Sequence, residues 1–344
     1  MPLPKTIRTL LQPTAHSPTL TLTQTPLPTR NPAPNSPEHL IQVKACSPCA
    51  GELLWPKNFP PPTPRPLIPC PDMAGIVISA PADSPFQPGA EVYTRTNYTR
   101  PGNARDYSIA VTDELAFMPK GLGFVQAVSV PLSAMTAWQI IFVHVFGSGS
   151  GVEGEGEGMG MEQARAVWAG KRVLVTAASG GVGMWVVQLA RMLGAVVIGT
   201  CGSGNVELVR GLGASEVLDY RAVDLREWAG KKGNAVDVVV DCVGRQSLAD
   251  AWWTVQDGGV VLSIYQPPRD VCPAEFRGSE VKDVFFVMQP VSRQLEEITK
   301  LVEAGLCRGM VDSVWPLEQF GEAFKRLDGG HAKGKIVFDL ELNR

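Results

Sequence analysis

Hydrophobic and polar positions divide the chain into two textures. From Lys171 onward, short apolar runs rich in Val, Ile and Leu alternate with stretches whose apolar residues recur at helical spacing. The runs Arg172–Thr176, Val196–Thr200, Glu216–Leu218, Val236–Asp241 and Val260–Ile264 read as buried strands. Between them, Gly181–Leu193, Val206–Leu212, Asp224–Ala229 and Ser247–Val255 read as helices. Such alternation predicts an α/β domain built on a doubly wound parallel sheet. Val281–Met288 reads as a further strand, Val291–Ala304 as an amphipathic helix and Lys335–Leu340 as a last strand.

The first 130 residues look different. More than half of the 29 prolines fall there, which rules out long helices. Short β-like runs at Lys5–Leu11, Thr19–Thr23, His39–Ala45, Ala74–Ala80 and Glu91–Arg95 predict an irregular, β-rich domain, with a turn at Pro88–Ala90. Leu132–Val145 has helical character. Residues 147–162 are low-complexity Gly and Glu with little to bury, the signature of a surface insert. The division expected is 1–130 completed by 290–344, and 131–289 carrying the insert.

Composition narrows the function classes. Thirty-one basic against thirty-four acidic residues leave a net charge of −3, which implies no nucleic-acid surface. No apolar run approaches the roughly 20 residues of a membrane span. Seven cysteines without a paired framework read as free thiols in a reducing compartment, expected to be the cytoplasm. The N-terminal stretch has the Ser, Thr and basic content of a transit peptide and no acid before Glu38, but its prolines would break the helix such a peptide needs. Val284, Phe285, Phe286 and Val287 form an apolar edge that a second copy could cover, so monomer and homodimer both stay open.

The sharpest motif runs from Val173 to Gly183, with Ser179, Gly180, Gly181, Val182 and Gly183 leading into a helix. A glycine-rich turn between a buried strand and a helix lets backbone N–H groups approach a pyrophosphate. Ala178 occupies the first glycine position of the usual G-x-G-x-x-G. The second strand ends in Gly202-Ser203-Gly204-Asn205 with no acid for a ribose hydroxyl and no evident cation. That loop favours NADPH over NADH by a modest margin.

At this point the chain resembles the medium-chain dehydrogenase/reductase superfamily, in its zinc-independent quinone-oxidoreductase and enoyl-reductase branches. The resemblance is carried by Pro88-Gly89-Ala90-Glu91-Val92, Val130–Trp138, Ser179–Gly183, Asn205–Val209, Leu212-Gly213-Ala214, Asp219-Tyr220-Arg221, Asp241–Gly244 and Lys333–Val337. Arg100–Tyr107 is similar to fungal members, including trans-acting enoyl reductases. The resemblance implies a GroES-like catalytic domain beside a Rossmann-type domain. It implies a pyrophosphate loop at Ser179–Val182, an adenosine-side loop at Gly202–Asn205 and an adenine-side Tyr220. It assigns the nicotinamide side to Thr136, Val243, Ile264, Tyr265 and the turn Cys49, Ala50, Gly51, Glu52. Thr136 and Tyr265 are then the catalytic candidates, with Lys57 and Tyr98 as further proton donors, because Phe59 stands near the position of the family's tyrosine.

The resemblance also raises zinc. Cys46 and Cys49 have the spacing of half a metal site, but the Gly-His-Glu segment of zinc-dependent relatives is replaced by Cys70-Pro71-Asp72. A catalytic zinc needs three protein ligands, so none is expected. What remains is hydride delivery to a carbon already activated by conjugation: an enone, a quinone or an enoyl thioester, free or carrier-tethered. A nucleotide-binding redox sensor without catalysis is the alternative of another class.

Overall fold

The computed structural model describes residues 2–33, 35–147 and 158–342. Two compact units emerge: Met1–Met135 with Pro290–Arg344, and Thr136–Gln289. Fifteen strands run through the described residues. They are β1 (Thr6–Leu11), β2 (Thr21–Pro26), β3 (Glu38–Ser47), β4 (Asp72–Ser79), β5 (Glu91–Arg95), β6 (Tyr107–Val111), β7 (Ala116–Phe117), β8 (Arg172–Val175), β9 (Val196–Cys201), β10 (Glu216–Asp219), β11 (Val236–Asp241), β12 (Val255–Ser263), β13 (Lys282–Phe285), β14 (Val311–Pro316) and β15 (Lys335–Asp339).

In the first unit β1 and β2 pair as an antiparallel hairpin. Arg8 ties the hairpin to the rest, its guanidinium donating to Asp106 at 3.0 Å and to the Leu340 carbonyl at 2.8 Å. The stretch with presequence-like composition is thus ordinary β structure. A seven-stranded sheet follows in the order β14-β15-β3-β4-β5-β7, with β6 on β3. The C-terminal segment therefore enters the sheet beside β3, and Ile41, Val43, Met73, Phe86, Phe324 and Phe338 pack into one core.

The second unit is a six-stranded sheet, all parallel, in the order β10-β9-β8-β11-β12-β13. Apolar runs cover both faces, with Leu174, Ile198, Val239 and Val261 packed beside Trp228 and Trp252. Strand order reverses between β8 and β11, and ligands of such sheets bind outside the carboxyl ends of the strands at that switch point.

Several elements depart from the sequence reading. The predicted helix Leu132–Val145 is an α-helix over Pro131–Gln139 that loosens into a π-turn over Ile140–His144. The stretch Phe124–His144 does reach the length and mean hydropathy of a membrane span, at 21 residues and 1.3, but 89% of its apolar window is buried inside the protein. The expected edge strand Val281–Met288 shortens to β13; Phe286 turns to meet the His144 ring, centroids 4.0 Å apart. The insert 147–162 falls largely outside the described residues, and its last two residues open the helix Met161–Trp168.

Gly183 fixes how the helix Gly181–Met192 meets its turn: a Cβ there would lie 2.3 Å from the Ala177 carbonyl oxygen. Gly183→Ala must push the helix off the turn, an overpacking cost of about 1–3 kcal/mol. A lowered Tm in thermal denaturation is expected; an unchanged Tm would contradict the close approach.

Candidate active site and cofactor site

The turn after β8 is built to expose N–H groups. Ala177 takes φ +47°, the left-handed region a Cβ disfavours, and its carbonyl accepts from Gly180 at 2.8 Å. The Ala178 N–H donates to Thr200 on β9 at 2.9 Å, which anchors the turn to the sheet. Gly180 is the helix N-cap with no side-chain cap, and the first intrahelical bond is Met184 N–H to the Gly180 carbonyl at 3.1 Å. Gly181, Val182 and Gly183 therefore lead with their N–H groups at the positive end of the helix dipole. No Cβ fits at Gly183, and a Cβ at Gly180 would sit 3.2 Å from the Ala177 oxygen, so the turn stays tight.

Asp241, fully buried at the end of β11, locks the strand ends around the switch point. It accepts from Thr176 Oγ1 at 2.9 Å, from Ser263 Oγ at 2.8 Å and from the Gly244 N–H at 2.8 Å. Thr176 in turn accepts from the Cys242 N–H at 2.8 Å. One carboxylate thus fixes the ends of β8, β11 and β12. Val243 is left exposed and Tyr265 half exposed, with Ile264 between them at the end of β12. The Tyr265 ring lies over Gly244, φ +77°, where a Cβ would come within 2.1 Å of the ring. Arg245 caps the other side of that ring at 5.5 Å. Thr136, the first residue of this unit, is buried in the helix Pro131–Gln139.

At the adenosine end, Asn205 donates to Ser179 Oγ at 3.1 Å and so joins the second loop to the first. The Asn205 carbonyl oxygen is buried without a hydrogen-bond partner among the described residues. Ser203 and Gly204 stand open. The expectation that this loop has no cation is corrected here. Arg221, just past β10, brings its guanidinium beside Gly202, 3.8 Å from where a Cβ would lie, and over the Tyr220 ring at 5.3 Å. Parallel pairing of Asp219 with Cys201 delivers it. The signal was present in Asp219-Tyr220-Arg221; what hid it was distance along the chain.

In the first unit the turn Cys49–Glu52 enters through Gly51 at φ +76°. Ala50 and Gly51 are exposed, and Glu52 is turned inward at 7% exposure. Its carboxylate accepts from the Cys70 N–H at 3.1 Å. Burial pushes Glu52 up to about 8, against the pull of the Lys335 ammonium and the Cys70 and Cys49 N–H groups. Beside it, Lys335 and Asp72 form a buried ion pair at 3.0 Å. Lys335 also donates to the Pro48 carbonyl at 2.7 Å, and Asp72 accepts from the Leu132 N–H at 2.8 Å. Of the further proton donors, Tyr98 is held by donating to the Phe59 carbonyl at 2.7 Å, and Lys57 is exposed.

These residues do not fit zinc, which needs three protein ligands. Pro71 carries no donor, and the Lys335 ammonium already occupies the charge position at Asp72. No group of three His, Cys, Asp or Glu side chains suited to a metal occurs among the described residues.

The buried Glu52 carries a pH dependence. In the unfolded chain it ionises near 4.5, in the folded protein near 8, so between those values the folded state holds the extra proton. Stability therefore falls as pH rises through that window, by roughly 3–5 kcal/mol for the full change. Glu52→Gln should flatten the decline of Tm between pH 6 and pH 9, as read by calorimetry. Parallel declines in both proteins would contradict the burial argument.

Comparison with known proteins agrees with this architecture. The zinc-binding dehydrogenase family matches residues 212–338. A probable zinc-binding oxidoreductase, mitochondrial, of Arthroderma benhamiae is 46% identical over 98% of both chains. A mitochondrial NAD(P)H oxidoreductase of Mus musculus is 28% identical over 78% of this chain and 69% of that one. The solved quinone oxidoreductase from Coxiella burnetii shares the fold, with a TM-score of 0.77 at 23% identity over 98% of this chain and all of that one. The two-unit fold, its parallel sheet with the glycine turn at the switch point, and these relatives together make the chain a member of the medium-chain dehydrogenase/reductase superfamily, an oxidoreductase.

Proposed function

We propose that the chain is an NADPH-dependent reductase that delivers hydride to an activated C=C of an enone, quinone or enoyl thioester, without zinc. The observation that carries this reading is the phosphate cradle at Gly180–Gly183 with the Arg221 guanidinium beside Gly202. Bound dihydronicotinamide supplies the hydride. The chain supplies the rest. Gly181, Val182 and Gly183 would hold the pyrophosphate, and Tyr220 offers a face to the adenine end. Arg221 would pair with a 2′-phosphate, while no acid stands there to accept the hydroxyl of NADH. Val243, Ile264 and Tyr265, fixed through Asp241, would border the nicotinamide. Thr136 and Tyr265 are the hydroxyls that would steady an enolate oxygen or relay the second proton.

Zinc is unnecessary to this chemistry, because conjugation already makes the acceptor carbon electrophilic and no alcohol needs polarising. A carrier-tethered enoyl thioester is the pathway form of the same reaction. We read the partner as a small unsaturated molecule, with neither nucleic acid nor membrane involved. Free thiols throughout the described chain fit a reducing compartment, the cytoplasm or an organelle interior.

Titration of both cofactors by fluorescence is the test. A charge-assisted contact from Arg221 predicts NADPH binding about ten- to a hundredfold tighter than NADH. Arg221→Gln should bring the two affinities close together by weakening NADPH alone. Equal affinities in the unaltered protein would overturn the assignment.

A further inference from the structure

Inside the first unit a cavity of about 40 Å³ is lined by Glu52, Trp55, Arg65, Arg95, Tyr98 and Arg100 among others. Three guanidinium groups around so small a space need an explanation. The Nε atoms of Arg65, Arg95 and Arg100 are all buried without a hydrogen-bond partner among the described residues. Arg95 is 4% exposed. Unmet donors of this kind cost free energy, and more so when charged.

The charges close to the cavity do not cancel. Arg100 is paired with Glu114, and Lys335 with Asp72. Arg65 gives its terminal nitrogens only to the backbone oxygens of Pro66 and Tyr98, at 3.2 and 2.6 Å, and stacks on the Tyr98 ring at 5.0 Å. Arg95 feels Asp72 and Glu114 but shares them with their closer partners. Glu52, ionising near 8, adds little negative charge at neutral pH. Arg65 and Arg95 remain as uncompensated cations, since guanidinium stays charged in proteins.

We propose that this cavity is a carboxylate subsite, and that the reductase's acceptor carries a carboxylate which Arg95 and Arg65 receive. The substrate part of this inference rests on the reductase reading above. The space, about 40 Å³ against roughly 10–15 Å³ for one buried water, admits a group of carboxylate size. Arginine forks match that planar anion in geometry as well as charge. Glu52, which lines this cavity, belongs to the turn that the family resemblance assigns to the nicotinamide side.

Two acceptors of nearly equal shape provide the test. Acetylacrylate carries a carboxylate where methyl propenyl ketone carries a methyl group, and reduction of each consumes one NADPH and one proton to saturate its C=C bond. The expected kcat/KM for acetylacrylate is about tenfold or more above that for the ketone. Arg95→Met should bring the ratio close to one. Arg65→Gln, at a half-buried position that holds only backbone oxygens, should lower it too and covers the case in which Arg95→Met fails to fold. Acetate alone should raise the Tm of the unaltered protein and not of Arg65→Gln. If neither acceptor is reduced while acetate still acts through Arg65, the small-enone form of the reductase reading falls and the subsite stands. Equal turnover of both acceptors with no arginine-dependent acetate effect overturns the subsite and leaves the reductase reading intact. A larger Tm gain from inorganic phosphate than from acetate would overturn the carboxylate assignment.

Discussion

Lys335 sits 3.0 Å from Asp72 in a region from which water is excluded, and four segments of chain converge on that pair. Asp72 opens β4, Lys335 opens β15, the Pro48 carbonyl closes the strand β3 and the Leu132 N–H begins a helix. Such a pair is no great source of net stability, because both ions are desolvated. Removing one partner, however, strands a buried charge at a cost of about 3–5 kcal/mol. The pair therefore acts as a registration device: a C-terminal strand joins an N-terminal sheet only where the lysine meets its carboxylate. It also sets the electrostatics of the Cys49–Glu52 turn.

The nucleotide-binding unit solves an equivalent problem with Asp241. Parallel strands end in loops that must hold their shape, and a single carboxylate shared among Thr176, Ser263 and Gly244 holds three of them. Val243 and Tyr265 are thereby presented outward, with the Tyr265 ring resting on Gly244. In both units the apolar core determines where strands lie, and a buried acid determines what their ends display.

Local pattern made much of this legible. The strands of the parallel sheet and the glycine turn at Ser179–Gly183 follow from apolar periodicity and from backbone geometry that only nearby residues control. Some of the elements not foreseen lack such a signal. β14, Val311–Pro316, alternates weakly and gains its place by pairing with β15. The Val281–Met288 run looks like a full strand by hydrophobicity, yet β12 offers partners only for Lys282–Phe285. Site residues divide in the same way. Gly202–Asn205 could be read from the sequence, whereas the Arg221 cation depends on β9 and β10 aligning. The cluster of Arg65, Arg95 and Arg100 depends on a turn, a strand and a loop meeting. Side chains brought together by folding leave no mark in spacing.

The proposed reaction proceeds without zinc, with the buried Lys335 rather than a metal as the fixed positive charge beside the Cys49–Glu52 turn. Metal analysis of the turnover-competent protein addresses it most directly, by measuring bound zinc per chain and NADPH oxidation on the same chelator-treated sample. The account predicts full activity with zinc far below one ion per chain. One zinc per chain, with activity lost on its removal and regained on its return, would contradict it.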